Sequence, residues 1–202
     1  MLGLVIDPAP FEATAAADRL LGPLVRRRRG LRIPQAAAPF EALTWAILGQ
    51  QVHLRFAVTL RRTLLTLAGR RHSSGLWCYP EPADVARLDP EELGRRKFSR
   101  AKAEAVVRAA RLADEGRLSL DDATPRDPQD VEASLLAVKG VGPWTAHYAM
   151  LRGFGAADCS LHGDAAVRNA LGRLLGESTR PSAAEAQLLL ERHRPHRSMA
   201  AA

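Results

Sequence analysis

The chain is poor in the residues that build metal and redox centres: only two cysteines, Cys78 and Cys159, stand among its 202 residues. Two thiols cannot furnish a four-thiolate zinc or iron–sulfur site. They do not suggest a disulfide scaffold either, so a reducing cytoplasm is the expected compartment. Long apolar runs are missing too. No segment approaches the ~18 uninterrupted apolar residues of a membrane span, so no membrane partner is expected. The stretch from Met1 to Pro10 has no basic segment leading into a long apolar run, so no signal peptide is expected. Val, Ile and Thr alternation is scarce, which argues against sheets. What remains is Ala, Leu and Arg. Hydrophobic residues reach 47%, enough for a sizeable core. Lys and Arg exceed Asp and Glu to give a net charge of +7. That excess suits a polyanion such as nucleic acid without requiring one.

Helical spacing recurs along the chain. Phe40, Leu43, Ile47 and Leu48 share one face over residues 40–49. Val52, Phe56, Leu60, Leu64 and Leu67 continue the pattern to Gly69, and residues 70–82, with Ser, Gly and Pro, read as a loop. Asp89-Pro90, Asp127-Pro128 and Pro143 mark helix starts, because proline at the first helical position loses no useful hydrogen bond. Further helices are expected over 99–114, 164–176 and 181–193. The fold class is therefore all-α, with roughly eight to ten helices of ordinary length. Arg26 to Arg29 is a charge run that fits a solvated turn or a phosphate contact.

One segment stands apart. Leu136-Ala-Val-Lys-Gly-Val-Gly-Pro-Trp-Thr-Ala146 lies between two helices, with Gly140 and Gly142 flanking Val141. Glycines allow a tight turn and let backbone N–H groups approach a ligand. With the positive end of the following helix they form an anion site, for which a DNA phosphate is the natural ligand of a basic protein. Gly-x-Gly alone also fits an ordinary helix connection.

The full string resembles the helix-hairpin-helix of the HhH-GPD family of DNA glycosylases. About 20 residues further on, Phe154-Gly-Ala-Ala-Asp-Cys-Ser-Leu-His-Gly-Asp164 resembles the family's Gly/Pro-rich loop and catalytic aspartate. Upstream, Phe40-Glu-Ala-Leu-Thr-Trp-Ala-Ile-Leu-Gly-Gln-Gln-Val52 resembles its opening core helix, and Tyr79-Pro-Glu-Pro and Phe98-Ser-Arg-Ala-Lys-Ala103 match as well. The resemblance covers about residues 36–200 and is nearest to the bacterial 3-methyladenine DNA glycosylase II type, without that group's N-terminal β-rich domain. It implies a two-lobed helical fold over 1–202: an extension, 1–35, packing on the lobes; 36–115, mainly one lobe; and 116–202, the hairpin and catalytic loop.

The resemblance also assigns roles. Asp164 opens a helix and reads by position as an N-cap; the family makes it the catalytic carboxylate, and the two roles are compatible. A fixed anion near C1′ would stabilise an oxocarbenium-like sugar and orient a water. Trp144 and Tyr148 share a helical face and fit either core packing or a pocket for a flipped, cationic base. Trp144 stands where the bifunctional glycosylase/lyases carry a Schiff-base lysine, so no lyase activity is expected. Lys139, Gly140, Val141, Gly142 and Thr145 of the hairpin are expected against DNA. Gln51 is expected to fill the gap left by the flipped base or, more simply, to end a helix. Trp45 reads as packing with a pocket role open, and Asp158 as a solvated turn residue. His162 replaces the family's usual proline. Arg194-Pro-His-Arg-Ser-Met199 resembles a segment that runs on into a helix bearing an aromatic residue; here it ends at Ala202, so either a helix cut short or an incomplete chain is expected, and with it a missing pocket residue.

No catalytic cofactor is implied. A structural Na⁺ or K⁺ on the backbone carbonyls of Leu136, Val138 and Val141 is. The expected partner is double-stranded DNA with alkylated bases, the expected state a monomer, and the expected location the bacterial cytoplasm, with the nucleoid. The rival reading is a non-catalytic DNA-binding protein that recognises distorted or damaged DNA.

Overall fold

A computed structural model describes residues 3–121 and 126–202. In chain order the helices are α1 (Ala9–Ala15), α2 (Gly22–Arg27), α3 (Pro39–Gly49), α4 (Leu54–Ala68), α5 (Pro82–Ala86), α6 (Pro90–Arg95), α7 (Arg100–Asp114), α8 (Pro128–Leu136), α9 (Pro143–Ala149), α10 (Ala165–Leu175), α11 (Ala183–Glu191) and α12 (Arg197–Ala201). Helix α9 runs directly into a π-helical turn, Met150–Phe154. Two short strands, β1 (Arg70–Arg71) and β2 (Trp77–Cys78), pair antiparallel. The all-α reading holds, with two corrections. The expected loop over 70–82 contains this strand pair. The helix number among the described residues exceeds the expected range because α1, α2, α5 and α12 have only five to seven residues each. Of the charge run that fits a solvated turn or a phosphate contact, Arg26 and Arg27 close α2.

The proposed starts are capped as their residue types dictate. The side chains of Asp89, Ser99, Asp127 and Asp164 accept from backbone N–H groups in the first turns of α6, α7, α8 and α10. Helix α10 ends on Gly176 in the left-handed conformation that favours glycine.

The chain divides into two compact units, Met1–Gln35 with Met150–Ala202, and Ala36–Ala149. In the second unit α3 is buried on nearly every side, with Leu43, Ile47 and Leu48 fully enclosed. Helix α7 turns an alanine and valine face inward, through Ala103, Val106, Val107 and Ala110. Each enclosed Leu or Ile contributes about 1.5–3 kcal/mol by leaving water. The first unit is built around Phe11, Ala15, Leu161, Leu190 and Met199.

Candidate active site

The hairpin and the aromatic pair lie in the second unit. Val141 N–H closes the turn on the Val138 carbonyl at 2.9 Å. Gly140 has φ 99°, and a Cβ there would sit 2.8 Å from the Ala105 Cβ. A side chain is thus excluded both by backbone conformation and by the approach of α7. At Gly142 the reverse holds: nothing lies within 4 Å of where a Cβ would stand. That face of the turn is open to a ligand.

Trp144 and Tyr148, one turn apart on α9, stack with centroids 5.4 Å apart and planes tilted by 37°. Trp45 of α3 joins them by donating its indole N–H to the Tyr148 hydroxyl at 3.1 Å. All three rings are half-buried. Behind Trp45 the Arg61 guanidinium lies 5.7 Å from its ring and 5.0 Å from that of Tyr79, and it pairs with Glu41 at 2.5 Å. Burial pushes the Tyr79 phenol up to about 12, and its hydroxyl pairs with Thr44 at 2.7 Å. Tyr79 therefore stays neutral through the physiological range.

Gln51 stands exposed on the turn between α3 and α4 with φ 54°, in the left-handed region. L side chains other than Asn and Asp seldom adopt it, and it costs about 1 kcal/mol or more. Its neighbour Gln50 carries no role from sequence, yet its side-chain amide donates to the Gly140 carbonyl at 2.9 Å and to Thr145 Oγ1 at 2.8 Å. Thr145 is thereby corrected: its side chain is 2% exposed and faces this brace, so its hydroxyl does not present itself to DNA. Lys102, matched only as part of a motif, is 7% exposed and donates to the Ile47 and Gln50 carbonyls at 3.0 and 2.5 Å. Burial pushes its pKa down. Pairing across 52 to 95 positions leaves no trace in local periodicity, which is why neither residue is legible from the sequence.

Asp164 lies in the first unit. Its Oδ1 accepts from the N–H groups of Ala166 at 2.7 Å and Val167 at 3.1 Å, so the capping role is present. The preceding loop is anchored. The Ser198 hydroxyl, fully buried, donates to the Ala156 carbonyl at 2.7 Å and accepts from Cys159 N–H at 2.9 Å. Asp158 is corrected from a solvated turn residue to a clamp. Arg197 holds its carboxylate at 2.8 and 3.0 Å, and Arg194 adds a contact at 3.1 Å. Burial alone would raise the Asp158 pKa, but the Arg197 hydrogen bonds outweigh it and hold the carboxyl below its usual range. His162 Nδ1 pairs with Ser160 Oγ at 2.9 Å inside the loop. The segment 194–199 thus serves the loop through α12, a short helix that is present.

The side chains settle no metal: among the described residues no group of three His, Cys, Asp or Glu could hold one. No helix among them is long and apolar enough to cross a membrane.

Comparison with known proteins gives the family directly. Residues 44–195 match the HhH-GPD superfamily of base excision DNA repair proteins, and the chain belongs to it. It is 36% identical over 149 residues to a DNA-3-methyladenine glycosylase of Bacillus subtilis, covering 72% of this chain and 49% of that protein. It is 32% identical over 178 residues to DNA-3-methyladenine glycosylase 2 of Escherichia coli, covering 81% and 62%. The chain thus spans about half to three fifths of the length of these curated relatives. In structure it is similar to the 3-methyladenine DNA glycosylase of Schizosaccharomyces pombe bound to abasic DNA, with TM-score 0.79, 22% identity and coverage of 95% and 93%. The 3-methyladenine DNA glycosylase of Archaeoglobus fulgidus gives TM-score 0.79 at 23% identity, with 96% and 67% covered.

Proposed function

We propose that the chain is a monofunctional DNA glycosylase. It flips alkylated bases such as 3-methyladenine out of duplex DNA and hydrolyses their N-glycosidic bond. The observation that carries this reading is the half-buried aromatic cluster of Trp45, Tyr148 and Trp144 on the helix that leaves the hairpin, in a chain of this family. Aromatic faces attract a cationic base by about 1–2 kcal/mol once water is excluded. An alkylated purine is such a base, and its charge makes it a good leaving group without a strong general acid. The work left for the protein is to stabilise the sugar cation, and Asp164 is the carboxylate for it. Its cap to Ala166 and Val167 fixes the group without needing to protonate it, so it can face a developing cation or orient a water. The relatives named as 3-methyladenine glycosylases support this substrate class. Trp144 occupies the position of the lyase lysine, so no Schiff base is expected.

Hairpin backbone groups, with Lys139 beside them, would hold a DNA phosphate at the open face of Gly142 irrespective of sequence. The carbonyls of Leu136, Val138 and Val141 are hard oxygen donors suited to Na⁺ or K⁺, and Val138 keeps one lone pair beyond its bond to Val141. Such an ion would steady the turn and has no chemical role. A monomer working on chromosomal DNA in the bacterial cytoplasm completes the reading.

Incubation with alkylated duplex DNA tests it. Wild-type protein releases free 3-methyladenine, and Asp164→Asn lowers release by about 10²–10³-fold or more while duplex binding persists. Tight binding without release by the wild type would favour a recognition protein, and undiminished release by the variant would remove Asp164 from the chemistry. Borohydride traps no covalent adduct.

A further inference from the structure

The turn after α3 combines two features that the proposed chemistry does not use: an exposed Gln51 in a left-handed conformation and a buried ammonium beneath it. The last carbonyls of a helix lack intrahelical donors and carry its negative end. Lys102 answers both needs for α3, with Nζ on the Ile47 and Gln50 carbonyls. The ammonium, with three donors and a full positive charge, gathers both carbonyls where the chain turns back at Gln50, and the next residue takes positive φ. The Gln50 side chain then ties this bend to the hairpin through the Gly140 carbonyl and Thr145.

We propose that Lys102 is a positioning residue which, with Gln50, holds Gln51 poised for insertion into the stack and in fixed register with the hairpin. The proposal rests on the reading of Gln51 as the side chain that fills the gap left by a flipped base. Its consequence is that gripping the backbone and probing the stack are not independent events. A duplex phosphate seated at Gly142 fixes where Gln51 meets the helix.

The test compares affinity for a duplex holding a tetrahydrofuran abasic analogue with affinity for the same undamaged duplex, by fluorescence anisotropy. Wild-type protein prefers the abasic analogue. Gln51→Ala and Lys102→Met each lower that preference about tenfold, and the double variant also loses about tenfold rather than roughly a hundredfold, because both act through one side chain. Affinity for undamaged duplex stays unchanged, which a general loss of structure would not allow. If Lys102→Met does not fold, Lys102→Gln takes its place in the same cycle, with a smaller loss of preference in the same direction and again no additivity with Gln51→Ala. Additive losses, or an unchanged preference in Lys102→Met beside a reduced one in Gln51→Ala, would overturn the proposal and leave Gln51 as gap filler. An unchanged preference in Gln51→Ala would instead remove the reading on which the proposal stands.

Discussion

In the second unit, the residues that would meet DNA are braced by other side chains: Tyr148 by Trp45, the hairpin by Gln50, and the Gln51 turn by Lys102. In the first unit, the Asp164 carboxylate is held by backbone N–H groups of its own helix start, and the Ser198 and Arg197 side chains pin the main chain and the Asp158 side chain of the loop before it. The braces of the second unit thus join side chains to each other and to the turns, whereas the Asp164 carboxylate takes its hold from main-chain groups of its own helix. The contrast predicts different failures in the two units.

The largest effect is expected at Ser198. Ser198→Ala leaves a buried N–H and a buried carbonyl without their hydroxyl, for a loss of about 2–4 kcal/mol in urea unfolding. Base release should fall with it, while affinity for undamaged duplex, a property of the hairpin, is retained. Loss of affinity instead would break the comparison. Next comes a pair of glycines. Gly140→Ala combines positive φ with a clash at Ala105 and should cost about 1–3 kcal/mol. Gly142→Ala meets open space, so melting should hardly move, but binding should weaken together with its salt dependence if a phosphate sits there. The smallest effect concerns His193, packed edge-on against Phe11 and 4.0 Å from Asp18. Burial lowers its pKa below 6.5 and outweighs the pull of Asp18. The unfolded chain therefore takes up a proton before the folded one. Stability is full above pH 6.5, declines as pH falls below it, and levels off once the folded pKa is passed. His193→Phe should flatten that part of a melting-against-pH curve and leave the plateau at pH 7.5 nearly unchanged.

How much of this is legible in the sequence depends on the range of the interaction. Caps are local, so Asp89, Ser99, Asp127 and Asp164 announce their helices. Helix α4 shows its face because fifteen residues give four turns of pattern. Helices α1, α2, α5 and α12 are too short to display a period, and tertiary packing rather than propensity holds such elements. The β1–β2 pair spans two residues per strand, below any alternation signal. Among the site residues, the hairpin string and the loop aspartate are visible as motifs. The brace of Lys102 and Gln50 and the Arg197 clamp on Asp158 join residues 39 to 95 positions apart, and only the fold brings them together.

The two thiols differ in a way that is useful at the bench. Cys159 is buried and Cys78 exposed. A maleimide dye should therefore attach to the native chain once, on β2. Helix α4 has 15 residues, which sets the label's strand roughly 22 Å along that helix from the Gln51 turn. That separation suits energy transfer to a fluorophore placed on DNA, so the arrival of a duplex could be followed in real time without altering the sequence.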